Sequence, residues 1–199
     1  MYREEYPRPQ LVRDRYMIIN GVWEFGYDDE GVSLREGWFR PGKRLPMQIE
    51  VPFVYECSKS GIGCHEERHD TVFYKRRFTL PPDWMGVRVL LHFGAVDYRA
   101  RVYLNGAFVG EHEGGHSPFS FDITDCLAEG EQELAVWVND PLGDKSIPRG
   151  KQYWKVEEEG IWYTRSTGIW QTVWLEPVPD IRIDAVRFTP DVDFGRVGV

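Results

Sequence analysis

The segment from Leu91 to Thr124 reads LHFGAVDYRARVYLNGAFVGEHEGGHSPFSFDIT. Its run Tyr98–Leu104 alternates, with a tyrosine and aliphatic residues on one face of an extended chain and arginines on the other. The pair Asn105-Gly106 follows at once. Asn-Gly between two such runs is the strongest short-range signal for a β-hairpin. The segment therefore predicts two antiparallel strands joined by a tight turn.

The same period of two recurs on both sides of this hairpin. Thirteen Pro and twenty Gly interrupt the chain at short intervals, and only pieces such as Asp125–Ala128 could form a turn of helix. Many short strands separated by turns are typical of an all-β fold, and we predict a jelly-roll β-sandwich. The further predicted strands are Tyr16–Ile19, Gly21–Phe25, Met47–Val51, Val72–Leu80, Val87–Phe93, Ala107–Gly110, Phe119–Ile123, Glu133–Val138, Gln171–Glu176 and Ile181–Phe188.

Composition excludes several classes of protein. The net charge of −8 over 199 residues argues against a nucleic-acid partner, which requires a basic surface. We find no apolar N-terminal segment typical of a signal peptide, and no apolar run long enough to span a membrane. Three cysteines are too few for a disulfide framework. We therefore expect a cytoplasmic protein without membrane association.

Two pentapeptides, His65–His69 and His112–His116, fit the H-E-x-x-H pattern of zinc peptidases. That chemistry requires a helix, which places both histidines on one face. The second pentapeptide contains Gly114-Gly115 and is followed by Ser117-Pro118, so it favours a turn. The first has room for one helical turn at most before the next strand. We therefore expect no metal and no cofactor, and Cys57–His69 remains the one loop in which an ion could bind.

Two long loops interrupt the strand pattern, Cys57–Asp70 and Asp140–Ser166. A long irregular segment inside a compact domain is usually functional. The alternative, a disordered excursion, is disfavoured for the second loop because disordered segments are poor in Trp and Tyr.

The segment Leu91–Thr124 resembles the N-terminal sugar-binding domain of glycoside hydrolase family 2, which contains β-galactosidases, β-glucuronidases and β-mannosidases. The residues that carry the resemblance are Phe93, Gly94, Val96, Asp97, Val102, Asn105-Gly106, Val109-Gly110, His112, Gly114-Gly115, Pro118-Phe119 and Asp122-Ile123-Thr124. Matches in family order continue at Asn20–Phe25, Val51-Pro52, Ser60–Gly63, Tyr74–Arg76, Pro148–Gln152 and Ser166–Glu176. The resemblance covers roughly residues 6–178.

The resemblance implies the domain organisation. Residues 1–178 would form the jelly-roll, galactose-binding-like domain. Residues 179–199, which begin after Glu176-Pro-Val-Pro-Asp180, are similar to the first strands of the family's immunoglobulin-like domain and would be the start of a truncated one.

The resemblance also implies a catalytic (β/α)₈ barrel that carries two glutamates about 5 Å apart for retaining hydrolysis. The acid/base glutamate of the family follows an Asn, and this sequence has no Asn-Glu pair. We therefore expect no catalytic residues here, and interpret the chain as a non-catalytic part of a β-galactosidase-like hydrolase.

The family implies that one jelly-roll loop lends polar groups to the sugar. It often supplies an acid six residues before the Gly of the Gly-Ile pair. Here that position is Trp162, which could stack on a sugar ring or pack at a domain interface. The predicted substrate-binding residues are Arg149, Lys151, Gln152, Trp154, Glu159, Trp162, Tyr163 and Arg165. For Asp97 and Asp122, which adjoin turns, we expect backbone capping instead.

Three hypotheses stay open for function. The first is the accessory domain of a glycoside hydrolase, with carbohydrate and the protein's own C-terminal domains as partners and homo-oligomers as one assembly implied by the family. The second is a free-standing carbohydrate-binding module. The third, and least favoured, is a zinc hydrolase.

Overall fold

The computed structural model describes residues 4–199 and consists almost entirely of strands, turns and loops. Short 3₁₀ helices occur at Pro9–Leu11, Ser58–Ser60, Pro82–Trp84 and Thr124–Cys126. No helix within residues 4–199 has the length and apolar character needed to cross a bilayer. In chain order, the strands are β1 Met17–Ile18, β2 Gly21–Tyr27, β3 Met47–Val51, β4 Thr71–Thr79, β5 Arg88–Phe93, β6 Val96–Asp97, β7 Arg99–Leu104, β8 Ala107–Glu113, β9 Phe119–Asp122, β10 Glu131–Asn139, β11 Gly168–Ile169, β12 Val173–Val178, β13 Thr189–Asp191 and β14 Arg196–Gly198.

Two antiparallel sheets form a sandwich, which confirms the predicted fold class. The larger sheet has the order β3-β2-β4-β10-β7-β8, and the smaller has the order β1-β12-β5-β9. Strands that are adjacent in a sheet are mostly distant in sequence, as β12 and β5 are. A short third pairing, β11 with β6, joins Gly168 to Asp97 at one end of the sandwich.

The hairpin predicted from Asn105-Gly106 is present between β7 and β8. Both turn residues have positive φ, 52° for Asn105 and 84° for Gly106. That conformation matches the right-handed twist of the flanking strands, and Asn and Gly are the residues that adopt it at least cost. The Asn105 side chain also donates to Gln132 Oε1 at 2.8 Å, which ties the turn to β10.

The core lies between the two sheets and follows the alternation in the sequence. Val89, Leu91 and Phe93 of β5 are fully buried, and they pack with apolar residues of β7 and β10. Full burial of one such side chain contributes roughly 1.5–3 kcal/mol. This core fixes the ends of the strands from which the long loops emerge.

Residues 28–46 cover the outer face of the larger sheet and create a second, smaller apolar cluster. Trp38 packs edge-on against Phe73, and Phe39 stacks on Tyr103 with ring centroids 4.6 Å apart. The Lys75 ammonium on the same face donates to the carbonyl oxygens of residues 40 and 43 and pairs with Glu133. Strand β4 is therefore buried on both faces.

Neither zinc-like pentapeptide is helical, as the sequence indicated. His112 belongs to β8 and pairs with Ala100 across the ladder. Gly114 has φ 133°, a backbone conformation that only glycine adopts readily. Residues 65–69 form an irregular loop before β4.

The prediction of a strand at Ile181–Phe188 is wrong. This segment has no strand in the structure, and Ile181 is 94% exposed. A strand requires a hydrogen-bonded neighbour, and β13 and β14, which follow, pair with one another instead. The assignment of residues 179–199 to an immunoglobulin-like domain stays a prediction.

Candidate functional site

The loop between β10 and β11, residues 140–167, is irregular but well connected, as predicted for Asp140–Ser166. A parallel bridge joins Gln152 to Tyr163 in its middle. The backbone N–H of Tyr153 donates to Tyr163 O at 2.8 Å, and that of Tyr163 donates to Lys151 O at 2.9 Å. These bonds fold the loop back on itself, so its side chains have defined positions.

This loop forms one wall of a cleft of about 250 Å³ at the end of the sandwich where β6 meets β11. The volume lies just below the range of about 300–1,000 Å³ usual for small-molecule sites. Four of the predicted contact residues line the cleft together: Arg149, Lys151, Gln152 and Tyr163. The other lining residues are Asp97, His116, Gly150, Thr164, Ser166 and Trp170.

Asp97 forms the buried floor of the cleft, with 3% of its surface exposed. Gln152 Nε2 donates to Asp97 Oδ2 at 2.7 Å, while Gln152 Oε1 accepts from the Ser166 N–H at 2.6 Å. Both ends of the Gln152 amide are therefore fixed. Our expectation that Asp97 caps the backbone is wrong, because its carboxylate accepts from this side chain. For Asp122 the expectation is confirmed by a 3.0 Å bond from the Thr124 N–H.

Burial, followed by repulsion from Asp140, raises the pKa of Asp97 from 3.8 to about 6. The folded state then binds this proton more tightly than the unfolded state does. Between pH 4 and 6 the free energy of unfolding should therefore fall as pH rises. The cleft therefore contains a carboxyl group, that of Asp97, whose charge changes near pH 6.

Between pH 4 and pH 7, the free energy of unfolding of Asp97→Asn should fall by about 2–3 kcal/mol less than that of the parent, because asparagine does not titrate. The asparagine carbonyl oxygen can still accept from Gln152. Urea unfolding at pH 4, 5, 6 and 7 measures the difference. Glu129→Gln, at an exposed position, is the matched control and should follow the parent. Identical pH profiles for Asp97→Asn and the parent would contradict the assignment.

Trp170 and His116 line the cleft from outside the loop. Trp170 Nε1 donates to Gly115 O at 2.7 Å, which fixes the indole, and the His116 ring lies edge-on with a centroid distance of 5.8 Å. An indole beside exposed polar groups is suited to the apolar face of a sugar. Sequence reasoning missed both residues as contacts, although Trp170 lies in the matched stretch Ser166–Glu176 and His116 lies within the segment Leu91–Thr124.

Trp154 and Trp162 belong to an aromatic cluster beyond the cleft lining. Their ring centroids are 5.2 Å apart, and Tyr153 lies parallel to Trp162 at 6.1 Å. The exposed Glu159 accepts from the Tyr153 hydroxyl at 2.7 Å. Trp154 and Trp162 therefore pack on one another, and Glu159 joins the same cluster through Tyr153. Contact of these three residues with sugar stays a prediction.

Arg165, near the end of the loop, does not line the cleft and is 8% exposed. Its guanidinium donates to Thr167 Oγ1 at 2.7 Å, Asp70 Oδ1 at 3.0 Å and His69 O at 2.8 Å. It also lies 3.3 Å from Glu56 Oε1. All three guanidinium nitrogens are therefore engaged by protein groups, which makes Arg165 a positioning residue for the loop.

Glu56 completes this buried network. Burial raises the pKa of Glu56 from 4.5 to about 7, although Arg165 and the Thr167 N–H act to lower it. This network thereby holds together two backbone segments, the loop before β4 and the loop before β11.

Comparison with known proteins identifies the family. The domain described as "Glycosyl hydrolases family 2, sugar binding domain" matches residues 17–179. A β-galactosidase from Thermoanaerobacter pseudethanolicus is 37% identical over 174 residues, which cover 87% of this chain and 21% of that protein. A β-glucuronidase from Paenibacillus borealis is 26% identical over 98% of this chain and 34% of its own length.

Among solved structures, a β-glucuronidase from Ruminococcus gnavus in complex with uronic deoxynojirimycin superposes with a TM-score of 0.68 at 26% identity. The match covers 85% of this chain and 30% of that one. The chain thus spans about a third or less of the length of the relatives it matches. It belongs to glycoside hydrolase family 2, as the sugar-binding domain of that family.

Proposed function

We propose that this chain is the non-catalytic N-terminal domain of a β-glycosidase that hydrolyses O-glycosyl bonds with retention. The observation that carries the proposal is the cleft in which Arg149, Lys151, Gln152 and Tyr163 meet Asp97. A buried polar floor with exposed polar and aromatic edges can orient sugar hydroxyls. The two catalytic carboxylates would belong to a barrel domain outside residues 1–199.

Two sugars are candidates for the substrate. The relatives named above include a β-galactosidase and β-glucuronidases. Lys151 is exposed and lines the cleft, and its ammonium suits the carboxylate of a uronic acid, whereas Arg149 Nη2 donates to the Pro141 and Asp144 carbonyl oxygens. This charge supports a glucuronide. The 37% identity to a β-galactosidase supports a galactoside, our expectation from the sequence.

We expect purified residues 1–199 to release no nitrophenol from the β-glucuronide or the β-galactoside of nitrophenol. The parent protein with its further domains should turn over one of the two. Turnover by residues 1–199 alone, whether retained or lost after Asp97→Asn, would contradict the assignment of catalysis to another domain.

Sugar binding by the cleft is tested separately, by NMR titration of residues 1–199 with glucuronate and galactose. Lys151→Met should weaken glucuronate binding about threefold or more and leave galactose unchanged, since only glucuronate has a charge for the ammonium to pair with. Lys59→Met, outside the cleft lining, is the control. Equal losses for both sugars would contradict the carboxylate contact. Binding without an attached hydrolase would favour the free-standing module.

A cytoplasmic location and self-association are further proposals. Cys57, Cys64 and Cys126 are free thiols, which supports a reducing compartment. Thiol labelling of the protein in fractionated cells tests the location. Sedimentation of the parent protein tests the assembly state.

A further inference from the structure

The loop before β4 brings together three side chains of the types that bind zinc. Cys64, Glu67 and His69 each offer one ligand atom, and these atoms lie within 4.8 Å of one another. His69 Nε2 is 3.4 Å from Glu67 Oε2. That separation is about the distance between two ligands of one tetrahedral zinc ion, given metal–ligand bonds of roughly 2.0–2.3 Å.

His69 is oriented as a metal-binding histidine usually is. It is 8% exposed, its Nδ1 lies 2.9 Å from Asp29 Oδ2, and its ring stacks on Tyr27 with centroids 3.5 Å apart. Its Nε2 is buried and has no hydrogen-bond partner. A carboxylate on Nδ1 favours the tautomer that leaves the Nε2 lone pair free for a metal. The Nε2 lone pair is therefore buried without a hydrogen-bond donor from the protein.

The backbone of the cluster is fixed by a single buried residue, Tyr55. The Cys64 N–H donates to Tyr55 O at 3.0 Å. The His69 N–H donates to the Tyr55 hydroxyl, and that hydroxyl donates to His69 O, both at 3.2 Å. Glu67, whose side chain is 73% exposed, is the one ligand free to rotate inward. The site is therefore preorganised at Cys64 and His69 and adjustable at Glu67.

We propose that Cys64, Glu67 and His69 bind a zinc ion, with water as the fourth ligand. A thiolate, an imidazole and a carboxylate form a donor set typical of zinc. This ligand set differs from the H-E-x-x-H pattern, in which His65 would be the second ligand. The two have only His69 in common, and the ligands here do not lie on a helix. The ion would link the loop to the sandwich at Tyr27 and Tyr55.

The position of the site would let a bound ion stabilise the neighbouring loop. His69 O accepts from Arg165 Nη2 at 2.8 Å, and Arg165 supports the loop that forms the cleft. A metal at His69 would stiffen this connection. Tyr27 contributes a second contact, because its ring stacks on the His69 imidazole with centroids 3.5 Å apart.

The test uses residues 1–199 expressed without a histidine tag, stripped with chelator and titrated with Zn²⁺ and with Co²⁺. We expect one equivalent to bind. Co²⁺ should give a thiolate charge-transfer band, and a hundredfold excess of Zn²⁺ over its Kd should raise Tm by roughly 5–10 °C. Cys64→Ser should abolish the band, and Glu67→Gln should weaken binding at least tenfold.

The loop supplies matched controls for each ligand. His65→Gln, Glu66→Gln and Cys126→Ser should bind Co²⁺ as the parent does, whereas His69→Gln should not. Glu67 is exposed, so its variant tests the site without disturbing the core. A Tm that does not respond to Zn²⁺ would mean that His69 is only ion-paired between Asp29 and Glu67, and would overturn the proposal. A Co²⁺ band that survives Cys64→Ser would overturn it as well.

Discussion

Arg165→Met is expected to lower the free energy of unfolding by about 3–5 kcal/mol, because it leaves buried carboxylates without their cation. The side chains of Glu56 and Asp140 are 3% and 8% exposed, and Arg165 is the cation that pairs with both. For a chain of this size the loss corresponds to a fall in Tm of roughly 10–15 °C. Urea and thermal unfolding at pH 7.5 measure both quantities.

The pH dependence of this loss identifies its cause. Arg165 acts to lower the pKa of Glu56, which burial raises to about 7, so Arg165→Met should raise that pKa further. At pH 5 Glu56 is then protonated in the folded variant, and the destabilisation should be smaller than at pH 7.5. Arg165→Met combined with Glu56→Gln should recover part of the loss at pH 7.5.

Arg77→Met is the control for this experiment. Arg77 is half exposed and lies 3.5 Å from Glu131, so its loss should cost no more than about 0.5 kcal/mol. If Arg165→Met cost as little as Arg77→Met and instead weakened sugar binding, Arg165 would be a sugar contact, as the sequence had suggested.

The fold was predictable because its information is local. Alternation and the Asn105-Gly106 pair fix which face of each strand is buried, and burial of that face brings the sheets together. The covering segment 28–46 was not predictable, because irregular residues carry no periodic signal. Ile181–Phe188 shows the converse, since it alternates well but has no strand to pair with.

The site was predictable only in part. Its loop was recognisable by length and by its Trp and Tyr content, and four of its eight predicted residues line the cleft. Arg165 could not be separated from Arg149 by residue type, because burial depends on the distant Glu56 and Asp70. Asp97 was misassigned because the pairing of β6 with β11, about 70 residues away, places it in the cleft.

Gly168→Ala is expected to destabilise the chain by about 3–5 kcal/mol, through backbone strain and overlap together. Gly168 has φ +103°, and a Cβ there would overlap the Tyr74 hydroxyl and lie 2.9 Å from Tyr74 Cζ. Tyr74 is fully buried and cannot withdraw. Because Gly168 pairs with Asp97, the cleft should distort as well, and sugar binding should fall with stability.

Two variants separate the strain from the overlap. Gly130 has φ +82° with no heavy atom within 4 Å of a new Cβ, so Gly130→Ala should cost about 1 kcal/mol, from the backbone alone. Gly168→Ala combined with Tyr74→Phe removes the hydroxyl and should regain about 1 kcal/mol or more relative to Gly168→Ala. If Gly168→Ala and Gly130→Ala lower the urea midpoint of unfolding by the same amount, Tyr74 does not restrict position 168. In that case, close packing against Tyr74 would not be what requires glycine beside the cleft.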